Sequence, residues 1–105
     1  MAKETIKIEG RATKEQIAAL KAKHGEVFAY EVGDLVGYLS RPGRQAISAA
    51  SVIGKDDPLK FAEVIIDNCW LGGHEILRTE TKYFMGLSQR VTDLVEIVTG
   101  KLKKL

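Results

Sequence analysis

One cysteine, Cys69, and two histidines, His24 and His74, are the residues of this chain best suited to nucleophilic or metal chemistry. Cys69 with His74 would be the pairing of a thiolate nucleophile and its base. Cys69, however, stands beside Trp70 in an apolar run, where burial raises a thiol pKa and blunts its reactivity. A structural cysteine is the better reading. His24, Cys69 and His74 lack the paired spacing of metal ligands, such as Cys-x-x-Cys or His-x-x-x-His, so neither a metal nor a cofactor is expected. Asp56-Asp57 is an acidic pair, but Pro58 follows it. An Asp before a Pro at the first helical position is a helix start. Gly72-Gly73 comes without the lysine-containing loop that cradles phosphate and reads as a helix stop. No catalytic residues are assigned, and the chain is not expected to be an enzyme.

Polar recognition is the remaining chemistry. Arg41 and Arg44 flank Pro42-Gly43, with Lys55 nearby. Guanidinium groups on such a turn can meet a carboxylate or a phosphate, and the bland alternative is a solvated turn. Trp70, the only tryptophan, is either a core residue or a binding anchor, since tryptophan is enriched at interface hot spots.

These residues must be positioned by a single domain of 105 residues. The composition is that of a globular protein, 45% hydrophobic and 29% charged. With 16 basic and 14 acidic residues the net charge is +2, too balanced to argue for nucleic acid or an anionic membrane. Lys101, Lys103 and Lys104 make a short basic tail, expected to aid solubility and to sit well at a helix C-terminus. A single cysteine makes no internal disulfide, and no run approaches the ~18 apolar residues of a membrane span. The first residues lack the apolar core of a signal peptide. A cytoplasmic location is expected.

Residues 1–12 form a polar stretch in which Ile6 and Ile8 alternate with Lys7 and Glu9, either a flexible arm or an edge strand. Thr13 to Gln16 matches a capping box opening a helix over 13–24, and Gly25 can close it. Two runs rich in β-branched and aromatic residues, within 26–40, flank Gly33-Asp34. That spacing predicts a hairpin with a type II′ turn. A helix follows over 44–53, with Ile47, Ala50 and Ile53 at helical spacing and Gly54 at its end. Asp57-Pro58 starts the next helix, 58–71, whose apolar residues cover so much of its circumference that it must be central. Residues 74–78 read as a connector or short strand, and Thr79 as the cap of a final helix over 80–102. On that helix Tyr83, Leu87, Val91, Leu94, Val98 and Leu102 recur every three or four residues and define one stripe. The expected fold is therefore α+β: a small antiparallel sheet, the hairpin with 6–8 as the candidate third strand, against three to four helices. A helix over 80–102 would be longer than a small core needs, so its distal part is expected to overhang and offer apolar surface to a partner.

The order of these motifs resembles a known family. A helix ending in Lys-His-Gly-Glu-Val-Phe (23–28) leads into the hairpin. Its second strand runs into Tyr-Leu-Ser-Arg-Pro-Gly-Arg (38–44). A small-residue helix precedes Asp-Pro-Leu-Lys-Phe-Ala-Glu-Val-Ile-Ile-Asp-Asn-Cys-Trp-Leu-Gly-Gly (57–73). Over about residues 14–95 the chain resembles the small tail assembly chaperones of long-tailed bacteriophages and prophages. The resemblance implies a non-enzymatic protein in the cytoplasm of the host cell. It would bind the long, apolar, helical tape measure protein, or another phage tail protein, during tail morphogenesis. A homo-oligomer is a further expectation, because the surface that shields a client helix can also pair two copies. The expected contact residues are Trp70, Leu87, Val91, Leu94, Val98 and Leu102, with Arg41 and Arg44 as polar contacts. Two alternatives stay open: another small phage structural or virion protein, and a weakly basic nucleic-acid-binding module using Arg41, Arg44, Lys55 and the lysine tail.

Overall fold

A computed structural model describes residues 8–95 and 97–105. Its elements run α1 (Lys14–His24), β1 (Val27–Val32), β2 (Leu35–Ser40), α2 (Arg44–Ile53), α3 (Pro58–Cys69), β3 (Trp70–Gly73), α4 (Ile76–Thr79), α5 (Thr81–Ser88) and a 3-10 turn, Val91–Leu94. The fold is α+β: a three-stranded antiparallel sheet of order β1-β2-β3, with helices on both faces.

Local chemistry explains most boundaries. The Thr13 hydroxyl accepts from Gln16 N–H at 3.1 Å while the Gln16 side chain accepts from Thr13 N–H at 2.9 Å, completing the capping box of α1. Gly25, at φ 83°, closes that helix with its N–H on Lys21 O. Gly33 has φ 58° and no other residue of the turn is positive, as a II′ hairpin requires. Asp57 Oδ1 accepts from Leu59 and Lys60 N–H ahead of Pro58, so the acidic pair does cap a helix.

Side-chain alternation on the sheet builds two cores. Val36 and Tyr38 of β2 face α1 and pack with Leu20 and with Ile8. Leu39, one residue on, faces the opposite side and joins Ala50, Ala62, Ile65, Ile66, Cys69, Leu87, Val91 and Leu94. Four consecutive residues of β2 are buried, which marks it as the central strand. Helix α3 touches α2, α5, β2 and the 3-10 turn, the central position its composition demands.

Four expectations are corrected. The third strand is Trp70–Gly73. Within the proposed strand 6–8, Ile6 lies outside the described residues. Ile8 is buried and its carbonyl accepts from Gly73 N–H, but it is not in a strand. Helix α3 accordingly ends at Cys69 and not at residue 71. Trp70 turns extended at φ −67°, ψ 124°, and the chain pairs with β2 as Leu39↔Trp70, Tyr38↔Gly72 and Gly37↔Gly73, with Leu71 bulged between. Gly73, at φ 118°, brings its backbone against Val36 where a Cβ would collide, so Gly-Gly here permits a close strand and is not the helix stop expected of it, since the helix has already ended at Cys69.

The last correction concerns 80–102. Helix α5 covers only Thr81–Ser88, a turn and the 3-10 segment follow, and 97–105 form neither helix nor strand. Thr79 does not cap α5. It ends α4, with its hydroxyl on Glu75 O at 3.2 Å, and Glu80 precedes α5 instead. Ser88, Thr92 and Asp93 are poor helix formers, Val98 and Thr99 are of the same rank, and Gly100 is poorer still. Periodicity alone does not hold such a segment in a helix once no core lies beneath it.

Candidate partner-binding surfaces

The expected stripe divides into two populations. Leu87, Val91 and Leu94 are 2%, 2% and 5% exposed and belong to the helix-side core. They are packing residues in this chain, and only Leu87 and Leu94 reach a surface, as part of the wall of a groove against β1. Val98 and Leu102 are 89% and 102% exposed, and Ile97 and Leu105 join them at 76% and 112%. Four large apolar side chains thus stand in solvent within 97–105, interleaved with exposed Lys101, Lys103 and Lys104. Isolated exposed leucines need no explanation, and these four within nine residues make the segment a candidate interaction surface. Sequence periodicity places Val98 and Leu102 on a helical stripe, whereas they are exposed in a segment without helix, beside Ile97 and Leu105, which fall off that stripe.

Trp70 is half-buried and held from several directions. Its six-membered ring lies over Gly37, where an added Cβ would come within 2.5 Å of Cη2. Its Nε1–H donates to Glu75 Oε2 at 2.9 Å, and the Arg78 guanidinium stacks 5.1 Å from the ring centroid. Arg78 is itself tied to Glu75 at 2.9 Å and to Asp67 at 3.4 Å. Such a ring bolts β3 to α4 and is the core outcome of the two readings given for Trp70. Beside this cluster a cleft of about 340 Å³ runs between α3 and α4–α5, with Leu59 and Phe84 as its apolar wall and Glu63 and Asp67 on its rim.

Arg41 serves the fold. It donates Nε–H to Glu26 Oε1 at 2.6 Å and Nη1–H to the Leu94 carbonyl at 3.0 Å, and it lies 4.9 Å from the Phe28 ring centroid. It therefore clasps the 3-10 turn onto the first strand, immediately before 97–105 depart. Arg44, on the first turn of α2, is exposed and does not share that site. Next to the clasp is a smaller apolar groove, about 170 Å³, walled by Phe28, Ala29 and Tyr30 on β1 and by Leu87 and Leu94 opposite.

The candidates for nucleophilic chemistry are placed apart from any such surface. Cys69 is buried, and desolvation pushes its thiol pKa up against the opposing effect of a hydrogen bond with Ser40. His24 is exposed at the end of α1. His74 Nδ1 accepts from Val36 N–H at 3.0 Å, a structural link between β2 and the strand that precedes it. His24, Cys69 and His74 do not assemble, and no group of three metal-ligating side chains occurs among the described residues. No helix among them is long and apolar enough to cross a membrane.

The chain matches no protein-family model, no curated protein and no solved structure.

Proposed function

We propose that this chain is a partner-binding protein of the tail-assembly-chaperone kind, acting in the host cytoplasm on an apolar helical client such as a tape measure protein. One observation supports the reading above the others: the exposure of Ile97, Val98, Leu102 and Leu105 in a lysine-bearing segment without secondary structure of its own. A segment of this kind gains order and buries its apolar side chains only on a partner. Val98, Leu102 and Leu105 are spaced by four and three residues. They would fall on one face if the segment winds into a helix against a client helix. The lysines keep the free protein soluble and leave the apolar side chains to make the contact.

Co-expression with the longest apolar helical protein encoded downstream tests this. Recovery of a soluble complex, from a client insoluble alone, is the expected result. A client that stays insoluble beside a soluble copy of this chain overturns it. Salt-dependent binding to DNA or RNA would then favour the nucleic-acid reading, and retention in purified particles would favour a virion subunit.

A further inference from the structure

We propose that the outer edge of β1 receives residues 97–99 of a second copy of this chain, so that two copies exchange these segments reciprocally.

The acceptor is read from the hairpin register. Val32↔Leu35 closes the two-residue turn, and the pairs Tyr30↔Gly37 and Phe28↔Leu39 follow at intervals of two. In an antiparallel ladder those pairs exchange N–H···O bonds, so the main-chain groups of Val27, Ala29 and Glu31 point away from β2. Among the described residues β1 is an edge strand, and those three have no main-chain partner. Of the devices that usually blunt an open edge, the strand contains no Pro, no Lys and no bulge, and its one charged side chain is Glu31, paired with Arg11 at 3.2 Å. The side chains of Phe28 and Tyr30, together with Leu94, wall the apolar groove that runs beside this edge. An edge with unpaired main-chain groups over an apolar groove takes an extended segment with alternating apolar contacts.

The donor lies in the same chain. Ile97-Val98-Thr99 is a run of three β-branched residues, the type that favours strands. It is exposed and carries no secondary structure. Laid along β1, its alternation puts one of Ile97 and Val98 into the groove and the other over Ala29, whose small, exposed side chain leaves room. Gly100 ends the run, and Lys101, Lys103 and Lys104 then pass an end of β1. Both ends carry carboxylates, Glu26 at one and Glu31 and Asp34 at the other, but Glu26 and Glu31 are already paired with Arg41 and Arg11, so the charge adds little to either strand direction.

Reciprocity favours a second copy as the occupant. The groove wall includes Asp93 and Leu94. These are the last residues of the 3-10 turn, from which the donor segment departs, and Arg41 fixes that point through the Leu94 carbonyl. Donor root and acceptor groove therefore lie side by side, the geometry in which a two-fold axis lets each copy fill the other's site and close the assembly. The inference does not rest on the client-binding role, since it concerns the protein alone.

The test is sedimentation velocity on the full chain, without client, over a concentration series. The expected result is a reversible dimer. Ile97→Lys with Val98→Lys, at two exposed positions, is expected to leave the melting of the monomer unchanged and to weaken dimerisation by at least roughly a hundredfold, since the one groove-seated side chain is lost at both equivalent sites and each loss contributes about tenfold. Ala29→Pro, which removes an outward N–H without touching the β2 ladder, is expected to do the same. If that variant misfolds, the lysine pair decides alone. A monomer at every concentration overturns the proposal, whether the segment is free or folds back on its own edge. A dimer that survives the lysine pair overturns it equally. Failure of client binding, measured separately, leaves this result standing.

Discussion

Leu94 and Val98 are four residues apart, and on one continuous helix they would share a face and a fate. Here the chain leaves the core between them. Leu94 is 5% exposed in the helix-side core and Val98 is 89% exposed. Replacing a buried leucine by alanine costs about 2–5 kcal/mol, from lost transfer energy and the residual cavity. Leu94 also walls a groove open to solvent, which lets the site relax, so the lower half of that range, about 2–3 kcal/mol, applies. For a domain of this size each 1 kcal/mol moves the midpoint by roughly 4–8 °C. Leu94→Ala should therefore lower Tm by about 10–20 °C. Val98→Ala, on an exposed position, should stay within about 0.5 kcal/mol, a few degrees at most. The assay is thermal unfolding followed by circular dichroism. It must be run at low protein concentration, because self-association through 97–99 would otherwise stabilise the parent. Comparable losses at both positions would mean that they share a packed face, and the division of the stripe would be wrong. No loss at Leu94 would remove it from the core.

Three further outcomes follow from single contacts. Arg41→Met removes the charge-assisted bond to the Leu94 carbonyl and the stacking on Phe28. With the Glu26 pair discounted because that carboxylate is largely exposed, urea denaturation should show a loss of about 1–2 kcal/mol. Arg41→Lys should recover less than half of it, since lysine lacks the planar fork. Gly37→Ala places a methyl within 2.5 Å of the Trp70 ring. It should cost about 1–3 kcal/mol and shift the emission of the only tryptophan to longer wavelength as the ring is pushed out, whereas unchanged emission would contradict the placement. Cys69 should resist alkylation in the native protein and react on unfolding. Its folded pKa lies above the unfolded value, so the unfolded chain loses its thiol proton first. Its contribution to stability is then intact below the ordinary thiol range and falls as pH rises through it. A contribution that grows with alkaline pH would contradict the burial.

The parts of the fold legible in the sequence are those whose boundary chemistry is local. The Thr13–Gln16 box, the Gly33-Asp34 turn and the Asp57-Pro58 start each act within four residues, and each is found where expected. β3 was hidden because its evidence is long-range. Trp70-Leu71-Gly72-Gly73 gains strand character only by pairing with β2, and Gly37, distant in sequence, makes room for the tryptophan ring. The stripe misled for a related reason. Spacings of three and four persist from Leu87 to Leu94 even though the helix stops at Ser88, because a 3-10 turn continues to bury the same face. The same spacing beyond residue 95 has no core beneath it. Arg41 could not be assigned from its turn alone, since its partners Glu26 and Leu94 come from opposite ends of the domain.

The proposed partner contact is 97–105. Hydrogen exchange of these amides, in the free protein and in a complex with an apolar helical client, tests it most directly. Fast exchange is expected in a monomeric sample, and strong protection throughout 97–105 in the complex. A client bound stably while those amides exchange as fast as before would place the binding surface elsewhere, with the cleft between α3 and α4–α5 the next to examine.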